Sequence, residues 1–424
     1  MRDGGSVAVI GGSIAGCAFA SAAVRAGADE VVVLERTLGR LEDRGLGLCV
    51  HDERAVELRA TGALPTGIAA HRLVRRRWVV RDPGAEADQA GRVFWEQPFP
   101  FHSYHWGLLW RGLREALPAS VVYRQGETVT GVAAAGDRAE VRLAEGAAER
   151  FGLVVGADGY RSVVRRAVCP ESRPHYAGYV CWRGHLDAGR LAAVDAAAGR
   201  PGESGAWSDA VTTVCFPGGS CVIYRIPGPD GPRVNWVLYA APPRAGAPGA
   251  GAPRLDDPTS FPPGQVAGES AAHLEALLER EFPPYWAEVL RLTEPEHTLV
   301  QPIYDLETPR IASGRFLLGG DAATVVRPHN TSGAAKALQD ADAFESAWRG
   351  AASPAELLRA YERARGPAGR ELVALARRLG RAQVERTPPW AAMTGADVAS
   401  WWREQLAGAP GIGGQATVPA GPPS

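Results

Sequence analysis

The feature that most constrains this chain is the stretch Val7-Ala8-Val9-Ile10-Gly11-Gly12-Ser13-Ile14-Ala15-Gly16 near the amino terminus. Its first four residues are an apolar run rich in β-branched side chains, which reads as a buried strand. The glycines provide a tight turn, and the small residues from Ala15 to Ala26 read as a helix. Strand, Gly-rich turn and helix start together open a dinucleotide-binding unit, with backbone N–H groups aimed at a pyrophosphate. Ser13 stands where G-x-G-x-x-G would place its second glycine; it is small, and its hydroxyl can donate to a phosphate. A second strand, Val31 to Leu34, ends on Glu35. That is the expected place for a ribose-binding acid, on the order of 20 residues past the glycines.

The 424 residues are enough for two substantial units. A net charge of −1 gives no electrostatic case for nucleic acid or an anionic membrane as partner. The first apolar run is too short to span a bilayer and no signal peptide precedes it, so a cytoplasmic protein is expected. The six cysteines (17, 49, 169, 181, 215 and 221) form no C-x-x-C pair and no Cys/His zinc spacing. They are expected to be buried thiols in a reducing compartment, with no metal site.

Past Glu35-Arg36, the segment Arg40 to Leu48 reads as a glycine-punctuated loop, and Asp52 as the cap of a helix ending at Ala60. Leu73 to Arg81 and Gly91 to Trp95 read as strands around a turn at Asp82-Pro83-Gly84. Leu109, Leu113 and Leu117 recur at helical spacing until Pro118. Strands with hairpin turns follow from Val121 to Leu143. Phe151 to Val155 is another apolar strand, and it runs into Gly156-Ala157-Asp158-Gly159, with Ser162 and Arg165 in a new helix. In an open α/β sheet, an acid at such a strand end faces the ligand crevice. Four strand-like segments (176–187, 211–216, 220–226 and 233–240), with no clear helix between them, suggest an inserted antiparallel sheet forming a substrate chamber. Pro242 to Gly268 reads as a long loop, followed by helices at 271–280 and 286–292.

A third strand, Arg315 to Leu318, ends in Gly319-Gly320-Asp321-Ala322-Ala323, followed by Arg327-Pro328-His329-Asn330-Thr331-Ser332-Gly333 and a helix from Ala334 to about Trp348. Asn330, Thr331 or Ser332 can cap that helix, whose N-terminus presents free N–H groups and partial positive charge. Another helix covers roughly 355–383.

The three strand-terminal signals, in this order, resemble those of the FAD-dependent aromatic hydroxylases, the single-component flavoprotein monooxygenases typified by para-hydroxybenzoate hydroxylase. The motif G-A-D-G-x-x-S-x-V-R is complete from Gly156 to Arg165. Tyr176 to Gly184, Asn235 to Tyr239 and Arg327 to His329 are most similar to the 2,6-dihydroxypyridine 3-monooxygenase-like branch. The resemblance implies an α/β fold: a Rossmann-like FAD-binding domain, an inserted, mainly antiparallel substrate domain, and C-terminal helices. It places residues 1–72, 101–170 and 300–350 in the FAD domain and 73–100 and 171–299 in the substrate domain. Residues 351–406 are C-terminal helices and 407–424 a disordered tail.

By the same resemblance, Gly11, Gly12, Ser13, Ala15 and Gly16 form the pyrophosphate turn, Glu35 holds the adenosine ribose and Arg36 flanks the adenine. Arg44 matches a loop arginine near the flavin. Arg111 sits one residue past the usual helix arginine, where Trp110 stands instead. Asp158 supports the sheet end, Gly320 and Asp321 bind the ribityl chain, and the N–H groups of Gly333 and Ala334 face the flavin pyrimidine. Thr324 and Asn330 depart from the His and Gly common in the family.

The implied reaction is reduction of FAD by NADH or NADPH, reaction with O₂ to a C4a-hydroperoxide, and hydroxylation of an electron-rich phenol- or hydroxypyridine-like ring. A group must then take a proton from the substrate or stabilise its anion. His329 is the first candidate and His51 the second, with Arg183 as holder of an oxyanion. The alternatives are a flavoprotein of secondary metabolism performing epoxidation, oxidative decarboxylation or rearrangement, and a catalytically silent FAD-binding scaffold. A homodimer is compatible with the sequence, which does not determine the assembly.

Overall fold

In the computed structural model, the described residues are 5–39, 41, 46–82, 89–242, 266 and 268–409. Strand β1 (Ser6–Ile10), helix α1 (Ile14–Arg25) and strand β2 (Glu30–Glu35) form the opening unit. They lie inside a six-stranded sheet whose order is Ala312–Ser313, Phe316–Leu318, Leu153–Gly156, β1, β2 and Val121–Gln125. All neighbours are parallel except the short first pair. A parallel sheet buries both faces, which is why its central strands read as unbroken Val/Ile/Leu runs. Three of these strands, β1, Leu153–Gly156 and Phe316–Leu318, are adjacent in space. The turns that follow them are thereby gathered at one edge of the sheet.

A second, nine-stranded sheet runs in the order Thr324–Val325, Thr298–Glu307, His175–Asp187, Arg233–Ala240, Gly219–Ile226, Ala210–Phe216, His71–Val80, Arg92–His105 and Gly47–His51. Its helix-bearing face packs Trp182, Trp207, Trp236 and Trp286 into one core cluster. The helix Gly333–Gly350 packs on α1 beside the first sheet, with Phe344 tilted against Phe19 at 5.5 Å. The long helix Pro354–Gly380 follows it.

The structure corrects several local expectations. The four inserted segments pair antiparallel as expected, and the sheet adds one parallel neighbour where Ala210–Phe216 meets His71–Val80. Helices do lie between its strands, at Leu191–Ala197 and Glu203–Ala206. The strand expected at Gly91 to Trp95 runs on from Arg92 to His105, because it pairs with His71–Val80 over most of its length and with Gly47–His51 from Phe101 to His105. That last strand begins inside the expected loop. The helix at Asp52 is capped by His51, whose Nδ1 accepts from Glu53 N at 3.3 Å. The long helix changes at Arg381–Glu385 to a wider, π-type turn. Arg44, the turn residues Pro83 and Gly84, most of the Pro242–Gly268 loop and the tail beyond 409 lie outside the described residues. Among the described residues, no helix is long and apolar enough to cross a membrane.

Candidate active site

The glycine turn is held tightly from behind. Gly12 N donates to Glu35 Oε2 at 2.7 Å, while Gly12 O accepts from Trp110 Nε1 at 2.8 Å and Tyr123 Oη at 2.9 Å. Gly11 has φ +96°, and a Cβ there would come within 2.5 Å of Ala157 O. Only glycine meets both demands. Gly12 and Gly16 are packing positions behind the turn: a Cβ would strike Tyr123 Oη at 2.1 Å and Gly11 O at 1.8 Å. Neither lines the cavity in front. Ser13 precedes α1 without spending its side chain on a cap, and it does line the cavity, with Gly11 and Ala15.

That cavity has a volume of about 630 Å³. It runs from Glu35 and Arg36, past the glycine turn, to Asp158, Gly320 and Asp321, and on past Gly333 and Ala334. It then enters a chamber against the second sheet, walled by Phe99, Val211, Val222, Tyr224 and Tyr239. The second and third sequence signals are locked together beside it. Asp158 Oδ2 accepts from Val163 N at 2.7 Å, Ser162 Oγ accepts from Arg165 N at 2.9 Å, and Arg165 Nη1 donates to Ala322 O at 3.0 Å. Among the described residues, Asp158 Oδ1 has no hydrogen-bond partner. Burial raises the Asp158 pKa against the opposing hydrogen bond from Ser162. Asp321 projects into the cavity, so water reaches it, yet it sits deep in the protein mass. Desolvation raises its pKa, and Lys336 opposes the rise. Lys336 is the only lysine of the chain. It is buried, and its Nζ donates to Gly320 O at 2.6 Å, bracing the Gly-Asp turn.

The helix Gly333–Gly350 starts without a side-chain cap, because Ser332 Oγ donates instead to Asn330 O at 2.9 Å. Its first N–H groups are thus left for whatever occupies the cavity. Asn330 ties this loop to the helix Pro354–Gly380, donating through Nδ2 to Leu372 O at 3.2 Å.

The chamber brings His329 and Arg183 together, but not His51, which caps its helix and does not line the cavity. Arg111 is likewise absent from the described lining; its neighbour Trp110 reaches the glycine turn instead. His329 Nε2 and Tyr179 Oη share a hydrogen bond of 2.8 Å, and the Tyr239 ring lies 4.3 Å away. Burial, reinforced by Arg327 and Arg76, lowers the His329 pKa to about 3, so the imidazole is neutral. Arg183 donates to Gly47 O at 3.2 Å. Tyr224 and Tyr239 are chamber wall, while Trp182 and Trp236 are core. Sequence reasoning missed Tyr179, Gln383 and Arg76, all of which adjoin or line the chamber. The available signal was the alternation of Tyr179, Cys181 and Arg183 along one strand.

No family model matches the chain. The 2-heptyl-3-hydroxy-4(1H)-quinolone synthase of Pseudomonas aeruginosa is 30% identical over 362 residues, covering 81% of this chain and 80% of its own. The 2,6-dihydroxypyridine 3-monooxygenase of Paenarthrobacter nicotinovorans is 29% identical over 351 residues, 79% of this chain and 80% of its own. The solved 2,6-dihydroxypyridine-3-hydroxylase from Arthrobacter nicotinovorans superposes with a TM-score of 0.75 at 25% identity, covering 91% of this chain and 94% of that one. Klebsiella pneumoniae HpxO, solved with FAD and uric acid, shares the fold with a TM-score of 0.68 at 21% identity, over 94% of this chain and 92% of its own. The fold is thus that of a two-part flavoprotein oxygenase. The chain belongs to the FAD-dependent aromatic hydroxylases.

Proposed function

We propose that the chain hydroxylates a small, electron-rich aromatic or heteroaromatic ring, phenol- or hydroxypyridine-like, with NADH or NADPH as reductant and O₂ as oxidant. It is an FAD-dependent monooxygenase. The observation that carries the finer reading is the single cavity that joins the glycine turn, Asp321 and the start of the Gly333 helix to a chamber walled by aromatic residues, Arg183 and His329. The names of two relatives, one acting on 2,6-dihydroxypyridine and one bound to uric acid, support a small oxygenated heteroaromatic as substrate.

The residues fit FAD. Gly11 has no room for a side chain, Ser13 Oγ is not used as a cap, and Glu35 stands at the end of β2. The turn of Gly11, Ser13 and Ala15 would take the pyrophosphate, Glu35 the ribose hydroxyls and Arg36 the adenine flank. Asp321 would take the ribityl hydroxyls. The free N–H groups of Gly333 and Ala334 would stabilise negative charge on the pyrimidine edge. Bound and reduced, FAD supplies an electrophilic oxygen derived from O₂. The apolar walls exclude water and orient the ring. Arg183 would hold an oxyanion of the substrate. Neutral His329, paired with Tyr179, would orient a ring hydroxyl by hydrogen bonding, since its lowered pKa makes it a poor store for a proton.

The test is the visible spectrum of the purified protein, followed by NADH and NADPH oxidation under air with a panel of phenols and hydroxypyridines. A flavin spectrum, reductant oxidation stimulated by one ring class, and a product heavier by one oxygen support the reading. A net loss of mass points to oxidative decarboxylation, and a product heavier by one oxygen but without a new ring hydroxyl points to epoxidation or rearrangement. A protein that cannot be loaded with FAD overturns it.

A further inference from the structure

The strand Gly47–His51 lies at the outer edge of the nine-stranded sheet, beside Arg92–His105. An edge strand leaves N–H and C=O groups that need partners. At Gly47, two side chains from elsewhere in the same sheet take the place of a neighbouring strand. Gly47 N donates to Asn235 Oδ1 at 2.7 Å, and Gly47 O accepts from Arg183 Nη2 at 3.2 Å. They come from Arg233–Ala240 and His175–Asp187, which pair with each other. The approach is close: a Cβ on Gly47 would lie 2.7 Å from both Asn235 Cγ and Tyr224 Oη. Gly47 is not in the left-handed region, so it is space that requires glycine here.

Asn235 is fully buried, at 0% exposure. Its oxygen serves Gly47, and its Nδ2 has no partner among the described residues. A buried amide with an unpaired donor is unfavourable where a leucine of the same size would not be. What the amide does there is fix one peptide, at Gly47. That peptide is part of the cavity wall. Leu46, Gly47, Leu48 and Cys49 all line the cavity, and their strand lies beside the helix Gly333–Gly350. Leu46 O is held as well, accepting from Trp106 N at 3.1 Å. Trp106 starts the helix whose Trp110 bonds to Gly12 O. The substrate sheet and the glycine turn thus both reach this short stretch of wall. A wall held in this way is ordered before any ligand arrives, so binding need not order it.

We propose that Asn235 is a positioning residue for the cofactor: by holding the Gly47 peptide it fixes the stretch Leu46 to Cys49 as a wall against which bound FAD rests. The proposal rests on the monooxygenase reading above, which makes FAD the occupant of the cavity.

The test uses the full chain loaded with FAD. It reads the visible circular dichroism of the bound flavin, the FAD dissociation constant and the melting temperature. Asn235→Leu keeps the size of the side chain and removes the acceptor. It should change the flavin dichroism and raise the FAD dissociation constant by about 5- to 10-fold, the low end for a buried donor left unpaired. Asn235→Asp keeps an acceptor in the same place and should hold both readings near those of the wild type. Gly47→Ala crowds the same bond from the other side. It should reproduce the Leu variant, and it carries the test if that variant does not fold. The proposal is overturned if N235L melts at a lower temperature while its flavin dichroism and FAD affinity stay those of the wild type, because the amide then only stabilises the sheet. It is also overturned if N235D is as impaired as N235L, because the acceptor is then not what matters. A wild type that cannot be loaded with FAD would instead sink the monooxygenase reading. A loaded wild type with an indifferent N235L keeps that reading and loses this one.

Discussion

The Glu35 carboxylate and the Gly12 amide are joined by a hydrogen bond of 2.7 Å across the first crossover of the parallel sheet. The other carboxylate oxygen accepts from Thr37 N at 2.8 Å. One acid thus ties the glycine turn to the end of β2, with lone pairs left for a ribose. Its role is both architectural and ligand-binding, and the two can be separated.

Glu35→Gln keeps the size of the side chain and one acceptor, but turns an amide donor towards one of the two backbone N–H groups. The FAD dissociation constant should rise by about tenfold, as expected for losing a hydrogen bond to a charged group. Fluorescence titration of the apoprotein measures it. A lower melting temperature with unchanged FAD affinity would show that Glu35 only holds the turn.

Asp305 is fully buried and receives two arginines, Arg327 Nε at 2.8 Å and Arg377 Nη2 at 2.7 Å. Arg327 stands two residues before His329, so this pairing also sets the loop at the chamber mouth. Asp305→Asn removes the buried charge and leaves the exposed Glu385, at 2.8 Å, as the carboxylate on Arg327. Removing one partner of a buried pair costs about 3–5 kcal/mol. Because Arg377 is a third exposed, the low end of that range is expected in urea unfolding. A loss under 1 kcal/mol, roughly, would mean that water replaces the carboxylate.

The parts of the site that were legible in the sequence are those where local chemistry and position coincide. Buried parallel strands read as continuous apolar runs, and so Gly11, Asp158 and Asp321 fall at strand ends on the sequence alone. What escaped depends on long-range register. Gly47–His51 is a strand because Arg92–His105 pairs with it, and nothing near Gly47 announces that partner. Arg76 sits in the run Arg75-Arg76-Arg77 of a segment that reads as a strand, and three like side chains in a row do not announce which face is buried. Strand alternation on a sheet packed on both faces turns the middle arginine inward. Trp110 stands at the usual arginine position, but its bond to Gly12 O needs the angle between two helices that the sequence does not specify.

The chain's reactive groups should be silent in the native state. All six cysteines are free and buried. Burial raises the pKa of Cys17 to about 12, Cys49 to about 12 and Cys181 to about 11. The single lysine, Lys336, is 1% exposed. Incubation with a thiol-specific disulfide reagent at pH 8 should therefore modify no cysteine in native protein and all of them in guanidinium. An amine-reactive ester should leave Lys336 unlabelled until unfolding, as peptide mapping would show. Fast native labelling of Cys49, which lines the cavity, would mean that the chamber admits reagent and that the thiol ionises there.

His329 links the chamber to acid stability. Its folded pKa, lowered by burial to about 3, lies below the ordinary value of 6.5 that it regains on unfolding. Between those values the unfolded chain binds a proton at this position and the native chain does not. The neutral imidazole's contribution is complete above pH 6.5 and shrinks as pH falls towards 3. His185, also lowered to about 3 by burial and by Arg233, adds in the same direction. Unfolding free energy should thus decline with falling pH more steeply in the wild type than in His329→Gln, which cannot protonate. The Gln side chain still offers Tyr179 a hydrogen-bond partner, so the two proteins should be closest in stability at the acid end and the variant less stable at pH 7. The ratio of their unfolding constants, followed by urea titration from pH 7 down to pH 4, isolates this one group from the buried carboxylates, whose raised pKa values act in the opposite sense and are common to both proteins. A ratio independent of pH would show that His329 titrates alike in the folded and unfolded protein, and it would then become a cation beside Tyr179 on acidification instead of staying the neutral partner that the substrate chamber requires.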